Sequence, residues 1–78
     1  MKLTIVSPEK ILFKGDADIL SVPGTTGRFE VLDHHAAIIS SLKADKLIYK
    51  SHGQEVSVDV LGGFIEVADN VASVCVEV

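Results

Sequence analysis

Asp33, His34 and His35 are the neighbouring side chains that could most readily bind a metal ion. Imidazole nitrogens and carboxylate oxygens are ligands that zinc uses in proteins. In an extended backbone, adjacent side chains point to opposite sides, so the two histidines would need a distant residue such as His52 to complete a site. We therefore expect a structural role instead, in which one of the two histidines is buried and hydrogen-bonded and orders its loop. No metal site and no cofactor are predicted.

The side chains that could act as nucleophiles lack the neighbours that would activate them. No serine lies in a Gly-x-Ser-x-Gly turn, and the single cysteine, Cys75, stands between two valines with no feature nearby to lower its pKa. Asp16 and Asp18 are better suited to keeping a strand edge soluble than to acid–base catalysis. We expect no catalytic residues and no enzymatic activity.

The glycine-containing segment at residues 23–27 resembles a phosphate-binding loop only superficially. A P-loop ends in Lys-Ser or Lys-Thr and leads into a helix, whereas Arg28 and Phe29 begin a predicted strand here. Pro23 and Gly24 instead suit the two central positions of a type II turn. We predict a turn at this point and no nucleotide binding.

Lys46 raises a different hypothesis, that of a covalently modified carrier domain. Lipoyl and biotinyl carrier domains are β-sandwiches of about this size that present a modifiable lysine at a hairpin tip. In this sequence, Lys46 begins a predicted strand, and the methionines or acidic turn of those families are missing. A carrier domain and a generic adaptor sandwich remain the alternatives to the function described below.

The length and composition of the chain indicate one folded domain over residues 1–78. With 47% apolar and 23% charged residues, the chain is too hydrophobic to be disordered. A domain of this size buries only about 60 to 65% of the surface that its unfolded chain exposes. Its single cysteine cannot form an internal disulfide, so we expect the folded domain to be only marginally stable. The apolar surface that such a small core leaves exposed favours binding to a partner protein.

The charge and hydropathy patterns exclude two other classes of partner. The net charge is −4 and the lysines are scattered, whereas binding to nucleic acid needs concentrated positive charge. No apolar run approaches the roughly 20 residues needed to cross a bilayer, so we expect a soluble chain.

Short apolar stretches recur along the chain, each followed by a turn signal, which is typical of a β-sandwich or a β-barrel. Turns are predicted at Pro8-Glu9, His52-Gly53 and Asp69-Asn70. We predict an all-β fold of about nine strands, at residues 2–7, 11–13, 17–22, 28–32, 37–42, 46–51, 55–60, 64–67 and 71–78.

Alternation within two of these strands predicts which side chains face the core. Residues 55–60 place three valines on one face and polar side chains on the other, which predicts one dry face, formed by Val56, Val58 and Val60. In the next strand, Phe64 faces away from Ile65 and Val67. An aromatic side chain on the outer face of a sheet indicates a docking surface.

Three blocks of residues follow one another along the sequence. The first is Val6-Ser7-Pro8-Glu9 with Phe13 and Gly15. The second comprises Val22-Pro23-Gly24, Gly27, Phe29, Val31-Leu32 and His35-Ala36, and the third comprises Gly62-Gly63-Phe64, Glu66-Val67, Asn70 and Val71. In this order and spacing they resemble the β-sandwich domain of the epsilon subunit of F-type ATP synthases. The resemblance covers nearly the whole chain.

This resemblance implies a two-sheet sandwich of nine to ten short strands at the foot of the rotating central stalk. Such a domain fastens the gamma subunit to the ring of membrane c subunits, so that ion-driven rotation is coupled to ATP synthesis. The expected location is the cytoplasmic face of the bacterial inner membrane, as a peripheral part of the complex. The implied c-ring-facing residues are Thr25, Thr26, Gly27 and Arg28, and the implied gamma-facing residues are His35, Ala36, Ile38, Phe64 and Glu66.

The sequence departs from the family pattern at a few positions. Arg28 stands where a carboxylate is common, Ala37 where a proline is frequent, and Ala44-Asp45 where a glycine-containing turn is usual. The family's C-terminal helical hairpin, which inhibits ATP hydrolysis or binds ATP, would lie beyond Val78. We therefore expect neither of those activities from this chain.

Overall fold

Nine β-strands and no helix make up the chain in the computed structural model, which describes residues 1–78. The all-β prediction and the predicted number of strands are confirmed. The strands are β1 (Lys2–Val6), β2 (Ile11–Asp16), β3 (Ile19–Gly24), β4 (Gly27–Leu32), β5 (Ile38–Leu42), β6 (Asp45–Ser51), β7 (Gln54–Val60), β8 (Gly62–Ala68) and β9 (Val71–Glu77).

The strands form two layers that share one hydrogen-bonded corner. One layer has five strands in the order β2-β1-β9-β8-β5, and the other has four in the order β4-β3-β6-β7. β3 pairs with β6 over its first half and meets β5 only at its end, where Gly24 lies opposite Leu42. All pairings are antiparallel except that of β1 with β9. The predicted β-sandwich is therefore confirmed, with the two sheets joined at this corner.

A single hydrophobic core lies between the two layers and receives side chains from both. Leu3 and Ile65 of the five-stranded sheet and Leu20 of the four-stranded sheet are almost completely buried. The rings of Phe13 in β2 and Tyr49 in β6 pack with their centroids 4.4 Å apart, so an aromatic contact also joins the sheets. Full burial of each aliphatic side chain contributes about 1.5 to 3 kcal/mol, and this core is the main source of stability in a chain without a disulfide.

Two predicted turns have the backbone geometry that their residues favour. His52 and Gly53 join β6 to β7 with φ angles of 50° and 78°, and Asp69 and Asn70 join β8 to β9 with φ angles of 52° and 61°. Two successive positive φ angles are typical of the type I′ turns that close two-residue β-hairpins. Both predictions are confirmed.

The turn predicted at Pro23 and Gly24 is wrong by two residues. Both residues belong to β3, and the chain turns at Thr25 and Thr26. Gly24 is needed for close approach, because a Cβ atom there would lie 2.6 Å from the carbonyl oxygen of Gly27. The glycine therefore permits tight pairing at the end of the hairpin and does not supply the turn itself.

The dry face predicted for β7 is only partly present. Val60 is buried and Val58 half-buried, but Val56 is 38% exposed. β7 is the edge strand of the four-stranded sheet, and the core covers only its final residues. The alternation of valines and polar residues correctly indicated which face of β7 points toward the core. It did not indicate how much of the strand's length the core covers.

Candidate protein-interaction site

An apolar row crosses the outer face of the five-stranded sheet. Strand register places Phe64 of β8 beside Cys75 of β9, Cys75 beside Val6 of β1, and Val6 beside Ile11 of β2. Phe64 is 53% exposed and Ile11 is 61% exposed, while Val6 and Cys75 are half-buried. We call these four residues the outer apolar row.

A groove follows the outer apolar row on this face. It has a volume of about 280 Å³, and its lining includes Val6, Pro8, Phe64 and Cys75. An aromatic wall beside half-buried aliphatic side chains offers little hydrogen bonding, so the groove favours an apolar side chain of a partner. Exposed apolar surface of this kind marks interaction sites on small domains.

Ile39 adds to this face and was not anticipated from the sequence. Register places it beside Glu66, and it is 75% exposed, which is the highest exposure among the large apolar side chains. The sequence-based prediction chose Ile38, whose side chain is half-buried and packs against the core. The segment Ala36-Ala37-Ile38-Ile39 contains no polar residue to mark which isoleucine faces outward. Only the pairing of Ile38 with the buried Val67 shows that Ile38 faces inward and Ile39 outward.

The outer face of the four-stranded sheet is different, because it carries several charged side chains and two ion pairs form near one end of it. The Lys46 ammonium lies 2.9 Å from an Asp59 carboxylate oxygen, and the Arg28 guanidinium lies 3.6 Å from that of Asp45. The hydrogen bond that the Lys46 ammonium donates to Asp59 raises the pKa of Lys46. Paired, solvated charges of this kind keep a surface soluble, so the apolar face of the sandwich is the better candidate for docking.

The sequence-based c-ring-facing residues lie together at one end of the sandwich. Thr25 and Thr26 form the β3–β4 turn, and Gly27 and Arg28 begin β4. The Thr25 N–H donates to the Ser41 carbonyl at 3.1 Å, and the two hydroxyl groups lie 2.9 Å apart. Gly27 has a φ of 143°. The turn is thus fastened to β5 of the other sheet.

The loop that carries His34 and His35 lies at the opposite end. The His34 N–H donates to the Asn70 side-chain oxygen at 2.7 Å, and a ring nitrogen of His35 lies 2.7 Å from the Ala36 carbonyl. His34 is exposed and His35 half-buried, so the expectation that one histidine is buried is wrong. His34 has a positive φ of 62° in this turn. The loop is ordered by Asn70 instead.

Asp33 also fastens this loop. Its carboxylate accepts a hydrogen bond from the N-terminal ammonium of Met1, which donates in addition to the Ala17 carbonyl at 3.0 Å. The hydrogen bond from the ammonium is the main cause that lowers the pKa of Asp33. No group of three histidine, cysteine or acidic side chains in residues 1–78 is arranged to hold a metal ion.

The predicted site residues therefore fall into three groups. Thr25 to Arg28 lie at one end of the sandwich, His35 and Ala36 lie at the other, and Phe64 and Glu66 share the outer face of the five-stranded sheet between them. Sequence reasoning did not identify Val6, Ile11 and Cys75 as neighbours of Phe64, because their contact depends on register between strands distant in sequence.

Lys46 does not have the geometry of a modifiable lysine in a carrier domain. It is the second residue of β6, and its cross-strand neighbour is Asp59. Carrier lysines project from a hairpin tip, whereas this ammonium is paired on the face of a sheet. The position of Lys46 argues against that alternative.

Taken together, these features define a β-sandwich domain with one apolar outer face, one charged outer face and a fastened hairpin turn at one end. No helix is present that could cross a membrane. Such a surface is typical of a domain that binds other proteins.

Sequence comparison identifies the family. Residues 1–78 match the family described as ATP synthase, Delta/Epsilon chain, beta-sandwich domain. The ATP synthase epsilon chain of Leptospira borgpetersenii is 40% identical over 74 residues, which cover 95% of this chain and 58% of the relative. That of Nitratidesulfovibrio vulgaris strain DP4 is 39% identical over 77 residues, covering 99% of this chain and 58% of the relative. The chain belongs to this family, and it spans 58% of the length of these two curated relatives.

Solved structures show the same fold. A chain of the Tetrahymena thermophila mitochondrial ATP synthase central stalk and c-ring superposes with a TM-score of 0.86 at 18% identity, covering 99% of this chain and 63% of that one. A chain of the Euglena gracilis mitochondrial ATP synthase, in a structure of OSCP, F1 and the c-ring, gives 0.88 at 21% identity, covering 95% and 48%. The sandwich is conserved in architecture at identities where few side chains coincide.

Proposed function

We propose that this chain is a non-catalytic part of the central stalk of an F-type ATP synthase. It fastens the gamma subunit to the c-ring and so couples ion-driven rotation of the ring to ATP synthesis. The observation that carries the proposal is the outer apolar row, because it gives a member of this family a surface suited to holding a partner protein. The Tetrahymena chain of the same fold comes from an assembly of the central stalk and c-ring, which is consistent with this role.

The gamma-facing surface is proposed to be centred on Phe64 and Glu66, with Ile39 beside them. Phe64 supplies an exposed aromatic anchor next to a groove, and such anchors dominate the energetics of protein interfaces. Glu66 lies next to Phe64 on the same face and can orient polar groups of the partner. His35, Ala36 and Ile38 extend the proposed contact toward the opposite end of the sandwich, where their loop is fastened through Asn70.

The c-ring-facing surface is proposed to be the turn formed by Thr25, Thr26, Gly27 and Arg28. Transmission of torque needs a contact that does not yield when it is loaded, and a turn bound to two neighbouring strands meets that need. The chain itself would bind no nucleotide, cofactor or nucleic acid in this role. It would lie at the cytoplasmic face of the bacterial inner membrane, held there by its partners.

The decisive experiment combines copurification with a matched pair of substitutions. The chain should be recovered from membranes together with the gamma and catalytic subunits. Phe64→Asp should weaken binding to gamma by about tenfold or more, since it places a charge at a desolvated anchor. Val56→Asp is the control, because Val56 is 38% exposed and lies on β7, the edge strand of the other sheet.

Circular dichroism of both variants should show an intact fold. Recovery of the chain only as a free monomer would contradict the proposed function. Equal affinity of wild type and Phe64→Asp for gamma would show that the outer apolar row is not part of the interface.

A further inference from the structure

The Arg28 side chain is folded back across its own sheet. One guanidinium nitrogen donates to the Ser21 hydroxyl at 2.9 Å, and the other donates to the Lys46 carbonyl at 2.5 Å. The same group lies 3.6 Å from an Asp45 carboxylate oxygen. Because the planar guanidinium presents several donors in fixed directions, one side chain can bridge the hairpin of β3 and β4 to β6.

Asp45 is held in place for this contact. Its carboxylate accepts the Lys46 N–H at 2.7 Å, and that hydrogen bond, followed by the attraction of Arg28, lowers its pKa. The carboxylate is therefore ionised at neutral pH, so Arg28 has a fixed counter-charge within the chain. A guanidinium that already has three partners is less available to a second protein.

A different cation lies free beside the turn. Lys43 is exposed in the β5–β6 connection, and its backbone N–H donates to the Pro23 carbonyl at 2.9 Å. Four ion pairs are formed within residues 1–78, and Lys43 takes part in none of them. Its ammonium exerts only a weak attraction on Asp45 and can thus reach a partner without breaking an ion pair inside the domain.

We propose that Arg28, although it belongs to the c-ring-facing turn, acts there as a positioning residue that holds Thr25 and Thr26 to β6 and does not itself contact the partner. Lys43 is then the cation that this end offers to an acidic or carbonyl oxygen of a partner loop. The identity of the partner as the c-ring rests on the proposed function. The positioning role of Arg28 within the chain does not depend on the identity of the partner.

Amide hydrogen exchange of the free chain tests the positioning role. Arg28→Gln should reduce protection of the Thr25 and Lys43 amides by about three- to tenfold, since it removes hydrogen bonds to a charged group at a partly exposed site. Asp45→Asn should reduce it in the same direction, and the double variant should lose less than the two single losses combined. Lys43→Gln is the control and should leave protection unchanged. Full protection in Arg28→Gln would overturn the proposal.

Binding to a subcomplex of gamma and the c-ring separates positioning from direct charge recognition. Arg28→Lys keeps the charge but cannot make the same bridges, so affinity across the Arg28 and Asp45 variants should follow turn protection and not charge. Lys43→Gln should reduce the salt dependence of binding, whereas Arg28→Gln should leave it unchanged. Loss of salt dependence in Arg28→Gln alone would make Arg28 a direct contact and overturn the proposal. If wild type does not bind the subcomplex, the proposed function fails, and the exchange data still decide the role of Arg28.

Discussion

Asp45 shows how one carboxylate can link local backbone geometry to the stability of a sheet. It accepts the N–H of the residue that follows it and lies opposite Arg28, and both contacts favour the ionised form. Lys43 adds a weaker attraction of the same sign. A carboxyl group whose pKa is lower in the folded chain than in the unfolded chain stabilises the fold above its ordinary pKa. That contribution is lost as the pH falls through the folded value.

Asp45→Asn should therefore lower the melting temperature at neutral pH and have less effect in acid. The quantity to compare is the difference in melting temperature between wild type and variant, measured by circular dichroism across the pH range. The difference should shrink as the pH falls below the ordinary value of 3.8, because wild type then loses its own charge. Asp33 titrates with the same sign, but it is present in both proteins and cancels in the difference. A difference that stays constant down to strongly acidic pH would contradict the assigned contacts.

At the scale of strands, Gly63 of β8 and Gly27 of β4 need to be glycine for different reasons. Both have unusual positive φ angles, of 146° and 143°. A Cβ atom on Gly63 would lie 2.1 Å from the Cys75 carbonyl oxygen, whereas one on Gly27 would meet nothing within 4 Å. Gly27 needs only conformational freedom, but Gly63 also needs space, because β8 and β9 approach closely beneath the outer apolar row.

Gly63→Ala should consequently cost much more stability than Gly27→Ala. We expect a loss of about 1 to 3 kcal/mol for Gly27→Ala, from the backbone conformation alone. Gly63→Ala should lose at least about 2 kcal/mol more, since backbone atoms must shift to admit the methyl group. Urea unfolding of both variants measures this difference. Equal losses would show that the close approach of β8 and β9 does not constrain position 63.

Several elements could be predicted from the sequence because their signals are local. The His52-Gly53 and Asp69-Asn70 turns follow from residues that tolerate positive φ angles, and the outward position of Phe64 follows from alternation within one strand. The errors arose where the outcome depends on strand pairing. Pro23 and Gly24 belong to β3 because they pair with Arg28 and Gly27 of β4 across a two-residue turn. Ile39 rather than Ile38 faces outward because of pairing with β8, which is distant in sequence.

At the scale of the whole molecule, buried apolar side chains stabilise the fold of the free chain, and exposed apolar side chains are available to bind a partner. The buried cluster fills the space between the sheets, while Phe64, Ile11 and Ile39 remain in contact with water. A chain of this size is expected to be stable by only about 4 to 12 kcal/mol. Binding of a partner to the folded state alone would add to that stability, by an amount that grows with the logarithm of the free partner concentration above the dissociation constant.

Exchange of core amides should reveal this linkage between gamma binding and folding. At a free gamma concentration of about 100 times the dissociation constant, unfolding should cost about 2.7 kcal/mol more. The amides of Ile65 and Val74, residues of the central strands β8 and β9 whose side chains are fully buried, should then exchange about 100-fold more slowly where they exchange through global unfolding. In the absence of gamma, the core amides of Phe64→Asp should exchange as slowly as those of wild type, because the exposed ring does not belong to the core. At the same gamma concentration, their exchange should slow much less than in wild type, because the ring contributes to docking. Core exchange that is unaffected by saturating gamma would contradict the assignment of this chain as a gamma-binding domain.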